Sequence, residues 1–249
     1  MRYFIAFSYF GKSYHGWQNQ PNAITVQEVL EEALSKLLRA SIALVGAGRT
    51  DAGVHAKEMF AHFDFENEID LLDLTFRINA FLPEDVAVKE VVQVHKEAHA
   101  RFDATERTYE YWITQKKNPF YYDRAHYVKQ MLDIDTMNAA AQLLLVHKDF
   151  ECFSKSNTDV HTYLCDVRKA VWTSENDKLV FTISADRFLR NMVRAIVGTL
   201  LDVGNGKSNL DDIQGILKSK DRSQAGASVP AKGLYLTRIV YPKTILNYE

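Results

Sequence analysis

Apolar and polar positions alternate or recur in a way that divides the chain into short elements. Tyr3 to Phe10 alternate loosely and are rich in aromatics, which predicts a strand. A loop follows from Gly11 to Pro21. Thr25-Val26-Gln27-Glu28 has the layout of a capping box. Val26, Val29, Leu30, Ala33, Leu34, Leu37 and Leu38 then keep a helical stripe. Ile42 to Val45 is a short apolar run of strand type. In Met59 to Phe65, Met59, Ala61, Phe63 and Phe65 alternate against Phe60, His62 and Asp64. A helix is predicted over Ile69 to Leu82, stopped by Pro83, and a strand over Val86 to Val94. The first part therefore reads β-α-β-β-α-β.

The same order recurs downstream. Thr105 to Thr114 is a strand with Tyr109, Tyr111 and Ile113 on one face. Ile134 to Val146 is a helix capped by Asp133. Tyr163 to Trp172 and Leu179 to Ala185 form a hairpin about Ser174 to Asp177. Arg187 to Val203 reads as one helix closed by Gly204, Asn209 to Leu217 as a short extra helix, and Leu234 to Val240 as the last strand. Two units of this order suggest an α/β (α+β) fold of two ferredoxin-like halves, residues 1–100 and 101–249, meeting near Arg101. If their sheets join, a cleft lies between them, a common place for a ligand.

Composition narrows the class. In 249 residues, 47% are hydrophobic and 25% charged, ordinary for a soluble globular protein. No apolar run is long enough for a membrane span, and the first residues lack a signal-peptide layout. Cys152 and Cys165 have neither metal nor redox spacing, so free thiols in a reducing cytoplasm are expected. The eight histidines show no ligand pattern: His95 and His99 are four apart but lack the other ligands of a zinc site. A net charge of −2 argues against a wholly basic nucleic-acid binder. Bases gather, however, at Lys116-Lys117, Arg168-Lys169, Arg187 to Arg194 and Lys218 to Arg222. One basic cleft on an acidic protein fits that distribution.

The chemistry concentrates in V-G-A-G-R-T-D-A-G-V-H-A, Val45 to Ala56. Three glycines let the backbone turn tightly and a ligand approach. The third glycine of a dinucleotide fingerprint is missing, and so is the lysine of a phosphate-binding loop. A surface ion pair between Arg49 and Asp51 is the plain alternative. An acidic residue on a glycine-rich loop after a strand is better read as a nucleophile or general base. The loop Gly11 to Pro21 suits base stacking as well as it suits a packed loop.

G-R-T-D-A-G-V-H-A resembles the signature of the TruA family of tRNA pseudouridine synthases, and further matches cover nearly the whole chain. The resemblance implies that Asp51 is the nucleophile. The R-x-Y-x-Y match at Arg107 to Tyr111 implies that Tyr109 holds the base. The N-M-V-R match implies that Arg194 pairs with the catalytic carboxylate. Arg49 either forms a local ion pair or enters the RNA beside the target nucleotide. Arg187, Arg190, Lys116 and Lys117 are candidate RNA contacts, with Lys218 and Lys220 as further phosphate contacts. Gly226 to Leu236 resembles the family's closing motif and is equally compatible with a simple turn. The implied fold is two halves joined in one mixed, mainly antiparallel sheet with a central cleft. The implied substrate is the tRNA anticodon stem-loop at positions 38 to 40, bound by a homodimer. Such an isomerisation oxidises nothing and calls for neither metal nor organic cofactor. A non-catalytic RNA-binding module and an Asp-nucleophile hydrolase are the rival readings. The hydrolase would want Mg²⁺ and further carboxylates.

Overall fold

The computed structural model describes residues 1–155 and 160–246. The chain forms two compact α+β units. The first comprises Met1–Glu106 together with Tyr235–Glu249, and the second Arg107–Leu234.

The first unit holds β1 (Arg2–Tyr9), α1 (Val26–Leu38), β2 (Val45–Gly46), β3 (His55–Asp64), α2 (Leu71–Phe81), β4 (Val86–Val94) and, from the end of the chain, β9 (Leu234–Val240). Its strands lie in the order β4-β1-β3-β9. β1 is antiparallel to both β3 and β4, and β9 runs parallel to β3 through His55 opposite Tyr235. α1 begins where Thr25 Oγ1 accepts the Glu28 amide, and α2 where Asp70 accepts that of Asp73. Phe4, Phe7, Leu30, Leu34, Phe60 and Phe63 make the core.

Two elements differ from the pattern. Ile42 and Leu44 are buried and Ala43 and Val45 exposed, as in a strand, yet only Val45 and Gly46 pair, opposite His62 and Ala61. Side chains of α1 take the place of a neighbouring strand. Glu31 accepts the Leu44 amide at 2.7 Å, and Gln27 donates to the Leu44 carbonyl at 2.9 Å. β3 starts four residues before its alternation suggests. It is buried on both faces from Met59 to Phe63, so no polar face exists there.

The second unit holds β5 (Glu106–Thr114), β6 (His126–Tyr127), α3 (Ile134–Val146), β7 (Val167–Glu175), β8 (Lys178–Ala185), α4 (Met192–Gly204) and α5 (Leu210–Ser219). β8 lies between β5 and β7, antiparallel to each, and β6 adds to β5 in parallel. α3 packs on β7 and α4. α5 opens with a full capping box between Asn209 and Asp212. Cys152 and Cys165 are free and buried, and burial pushes both thiols up to about 12.

The helix expected from Arg187 starts five residues late. Asp186 Oδ1 accepts the amides of both Asp166 and Arg187 at 2.7 Å, which ties down the exit from β8. Asn191 then sits at φ 67°, the left-handed region that asparagine tolerates, and α4 begins at Met192. Arg187 and Arg190 therefore share no helical face with Arg194. Gly204 belongs to the last turn of α4, and Asn205 caps it.

One buried titratable group in the first unit has a consequence for stability. His62 is 4% exposed, accepts the Ala100 amide at 3.1 Å and stacks on Phe4. Burial first, then the nearby Arg2 charge, lowers its pKa from 6.5 to about 4. The unfolded chain thus binds a proton between those values that the folded chain refuses, so stability falls as pH drops from 6.5 towards 4. The urea midpoint should fall across that window, and less steeply in His62→Gln, which keeps an acceptor but cannot titrate. Equal slopes for the two proteins would exclude His62 as the cause.

Candidate active site

In the first unit the residues of interest lie on the connection from β2 to β3, and the loop after β1 is built around it. Tyr9 Oη and Thr50 Oγ1 share a buried hydrogen bond of 2.8 Å, one residue before Asp51. The Trp17 amide donates to the Thr50 carbonyl at 3.2 Å, and the Gly53 amide to the Tyr14 carbonyl at 3.4 Å. Gly16 has φ +91°, and a Cβ there would meet the Thr50 oxygen at 2.4 Å, so the two loops touch backbone to backbone. At the far end His55, 1% exposed, accepts the Gly11 amide through Nδ1 at 2.9 Å and stacks on Phe10 with ring centroids 4.3 Å apart. The Val54 amide closes the turn on the Asp51 carbonyl at 3.1 Å.

The Gly11 to Pro21 loop is therefore largely packing: Tyr14 and Trp17 are buried, and Trp17 stacks on Phe7 at 5.3 Å. The Tyr14 hydroxyl donates to Asp85 at 2.6 Å, and burial together with that carboxylate raises its pKa. Asp51 is half-buried on the pinned turn, whereas Arg49 is exposed. Thr50 and His55 stand among the polar residues of the glycine-rich motif, whereas Tyr9 lies outside it. The identity of His55 was a signal; Tyr9 carried none.

In the second unit, Arg194 lies in the first turn of α4 and is half-buried. Its Nε donates to the Val229 carbonyl at 2.7 Å, and the Val229 amide returns a bond to the Arg194 carbonyl at 3.2 Å. Asn191 Nδ2 donates to Ser228 Oγ at 2.6 Å, and Arg222 reaches the same hydroxyl at 2.9 Å. A Cβ on Gly198 would fall 1.8 Å from the Ala227 oxygen. Gly226 to Pro230 is thus a strap laid along α4, not a simple turn into the last strand. Tyr111 fastens its far end by donating to the Pro230 carbonyl at 2.8 Å. Tyr109, two residues earlier on β5, is half-buried and meets Phe188 edge to face at 5.1 Å.

The remaining candidates scatter. Arg187 donates to the Thr162 carbonyl at 3.2 Å. Arg190 is exposed, and its carbonyl accepts from the Lys155 amide at 3.1 Å. Lys116, Lys117 and Lys218 are exposed, whereas Lys220 is held by Asp149 at 2.6 Å, which weakens its candidacy as a phosphate contact. No helix among the described residues is long and apolar enough to cross a membrane.

The glycines of the loop separate structural from open positions. A Cβ on Gly46 would strike the Trp17 indole at 2.5 Å, while one on Gly48 meets nothing within 4 Å. Gly46→Ala should therefore lower the melting temperature by several degrees, and Gly48→Ala should leave it within about a degree. Similar melting of the two variants would mean that Trp17 is not packed on Gly46.

Comparison with known proteins gives a consistent answer. A family model described as tRNA pseudouridine synthase matches residues 5–103 and 140–242. A protein of Parabacteroides distasonis named tRNA pseudouridine synthase A is 52% identical over 249 residues, covering 100% of this chain and 99% of that one. A protein of the same name from Bacteroides fragilis is 50% identical over 248 residues, with 99% and 98% covered. One from Caldicellulosiruptor bescii is 38% identical over 239 residues, with 95% and 98% covered.

Proposed function

The chain belongs to the tRNA pseudouridine synthase family and is an isomerase of uridine in tRNA, and we propose that Asp51 is its nucleophile, acting on the anticodon stem-loop at positions 38 to 40. The rivals, a non-catalytic RNA-binding module and an Asp-nucleophile hydrolase, are not favoured by full-length likeness to synthases. The two separately matched segments support a division into halves near residue 100.

The observation that carries the assignment is the setting of Asp51. The turn that carries Asp51 is fixed on both sides, by Tyr9 to Thr50 before it and by Gly11 to His55 after it, so its backbone is set before substrate arrives. The isomerisation breaks the bond from uracil N1 to C1′ and forms one from C5 to C1′. C5 loses its proton, N1 gains one, and no electrons are exchanged. Asp51 supplies the anion for attack. The Tyr109 ring is a surface for the base, and its hydroxyl is suited to proton relay. Arg194 is the partner assigned to the Asp51 carboxylate by its motif, offering a fixed fork that lysine lacks. Arg49 extends into solvent next to Asp51 and is suited to the RNA beside the target. A cytoplasmic place of action follows from the substrate.

Release of tritium from C5-labelled uridine in tRNA, followed in single turnover, tests the assignment. Asp51→Asn should abolish release and leave tRNA affinity within about tenfold, ~1.4 kcal/mol. Arg194→Lys keeps the charge and should lose most of the rate. Appreciable turnover by Asp51→Asn would remove Asp51 as nucleophile.

We propose also that the enzyme works as a homodimer, since a tRNA is long compared with one small protein of net charge −2. Light scattering at micromolar concentration should give twice the mass of one chain. A fully active monomer at that concentration would contradict it.

A further inference from the structure

The segment between β5 and α3 combines features that the site assigned above does not use. Residues 115–132 carry Lys116, Lys117, Arg124 and Lys129 against a single acid, Asp123, in a chain of net charge −2. Among these bases stand large apolar rings in water: Phe120 is 83% exposed, Tyr122 73% and Tyr127 40%. Lys116, Lys117 and Lys129 are exposed, and none is held in an ion pair among the described residues.

The rings are not on a loose loop. Asn118 Oδ1 accepts the Phe120 amide at 2.9 Å, while its amide group donates to Asp177 at 3.0 Å. Pro119–Tyr121 forms one 3₁₀ turn. The Arg124 and Ala125 amides both donate to the Tyr121 carbonyl at 3.0 Å. Beyond them Ala125 and Val128 are buried, and His126–Tyr127 pairs with Ile113 and Thr114 of β5. Lys232 donates to the Tyr122 carbonyl at 2.8 Å and lies 5.2 Å from the centre of the Tyr122 ring. The backbone is thus fastened at both ends and in the middle, with Phe120 and Tyr122 turned outward.

We propose that this turn is a stacking surface for unpaired bases of the tRNA substrate, with Phe120 and Tyr122 under the bases and Lys116, Lys117 and Lys129 on the neighbouring phosphates. The proposal rests on the tRNA-modifying reading above. Exposed rings interleaved with cations are the combination that single-stranded RNA asks for: a π-face for each base and positive charge along the backbone. A protein partner fits less well, because protein interfaces gather aromatics but shed lysine. A paired stem fits less well too, because its bases are stacked on one another and offer no free face. Fixing the rings beforehand lowers the ordering cost of binding.

The test uses the full chain and two labelled RNAs, an anticodon stem-loop hairpin and a blunt duplex with the same number of phosphates. Both rings are largely in water, so Phe120→Ala/Tyr122→Ala should fold normally. The double variant should bind the hairpin about tenfold more weakly, with its duplex affinity and its salt slope unchanged. Lys116→Ala/Lys117→Ala should weaken both RNAs and lower the salt slope by roughly one for each phosphate left without its lysine. Tritium release from tRNA by the wild-type protein is measured in the same preparation. Normal release with unchanged hairpin affinity in the ring variant overturns this proposal alone. No release by the wild type overturns the tRNA reading and this proposal with it. A ring variant that loses mass in light scattering while binding the hairpin as before would show a surface between copies of the chain, and would also overturn it.

Discussion

The buried hydrogen bond between Tyr9 and Thr50 is the constraint on which the aspartate loop depends. Both groups are shut away from water, so breaking the bond would carry a desolvation cost. That bond fixes the end of β1 against the turn after β2, and everything else in the region follows its geometry. Gly16 has to lack a side chain because the Thr50 carbonyl lies where its Cβ would be. Trp17 donates its amide to Thr50 and places its indole where a Gly46 side chain would go. His55 then secures the other end of the loop through Gly11. A turn with three glycines would wander by itself. Here two buried polar contacts and one backbone-to-backbone approach leave it a single path, and Asp51 is carried along that path.

The second unit solves a similar problem by different means. α4 is apolar nearly all round, and an arginine in such a helix needs a partner for its donors. The strap from Gly226 to Pro230 provides one, because Arg194 and Val229 exchange bonds in both directions. The guanidinium is thereby oriented through its Nε.

Much of this was legible from residue pattern. α3 has the predicted bounds, because its stripe and its Asp133 cap agree with each other. α1, α2, β4 and β9 lie where period and punctuation put them. The failures share a cause: tertiary groups that replace local ones. Ile42 to Val45 has a strand's alternation, but Gln27 and Glu31, distant in sequence, satisfy Leu44 and leave almost no ladder. Arg187, Arg190 and Arg194 have helical spacing, but Asp186 binds the backbone at one end of that run and Asn191 reverses it near the other. The motif made Asp51 conspicuous as a residue. The reason for its rigidity lies in Tyr9, which belongs to an ordinary aromatic strand and has no periodic or compositional mark.

The first unit is assembled from two segments far apart in the sequence. β3 receives β9 as its parallel neighbour only after the whole second unit has been threaded between them. On the ribosome, residues up to 106 emerge long before Tyr235 exists. They wait with one side of β3, at His55 and Ala56, lacking its final partner, while the intervening unit can collapse by itself. β9 therefore docks late on the earliest part of the fold. Until that long-range closure, the edge of β3 stays open to wrong pairing.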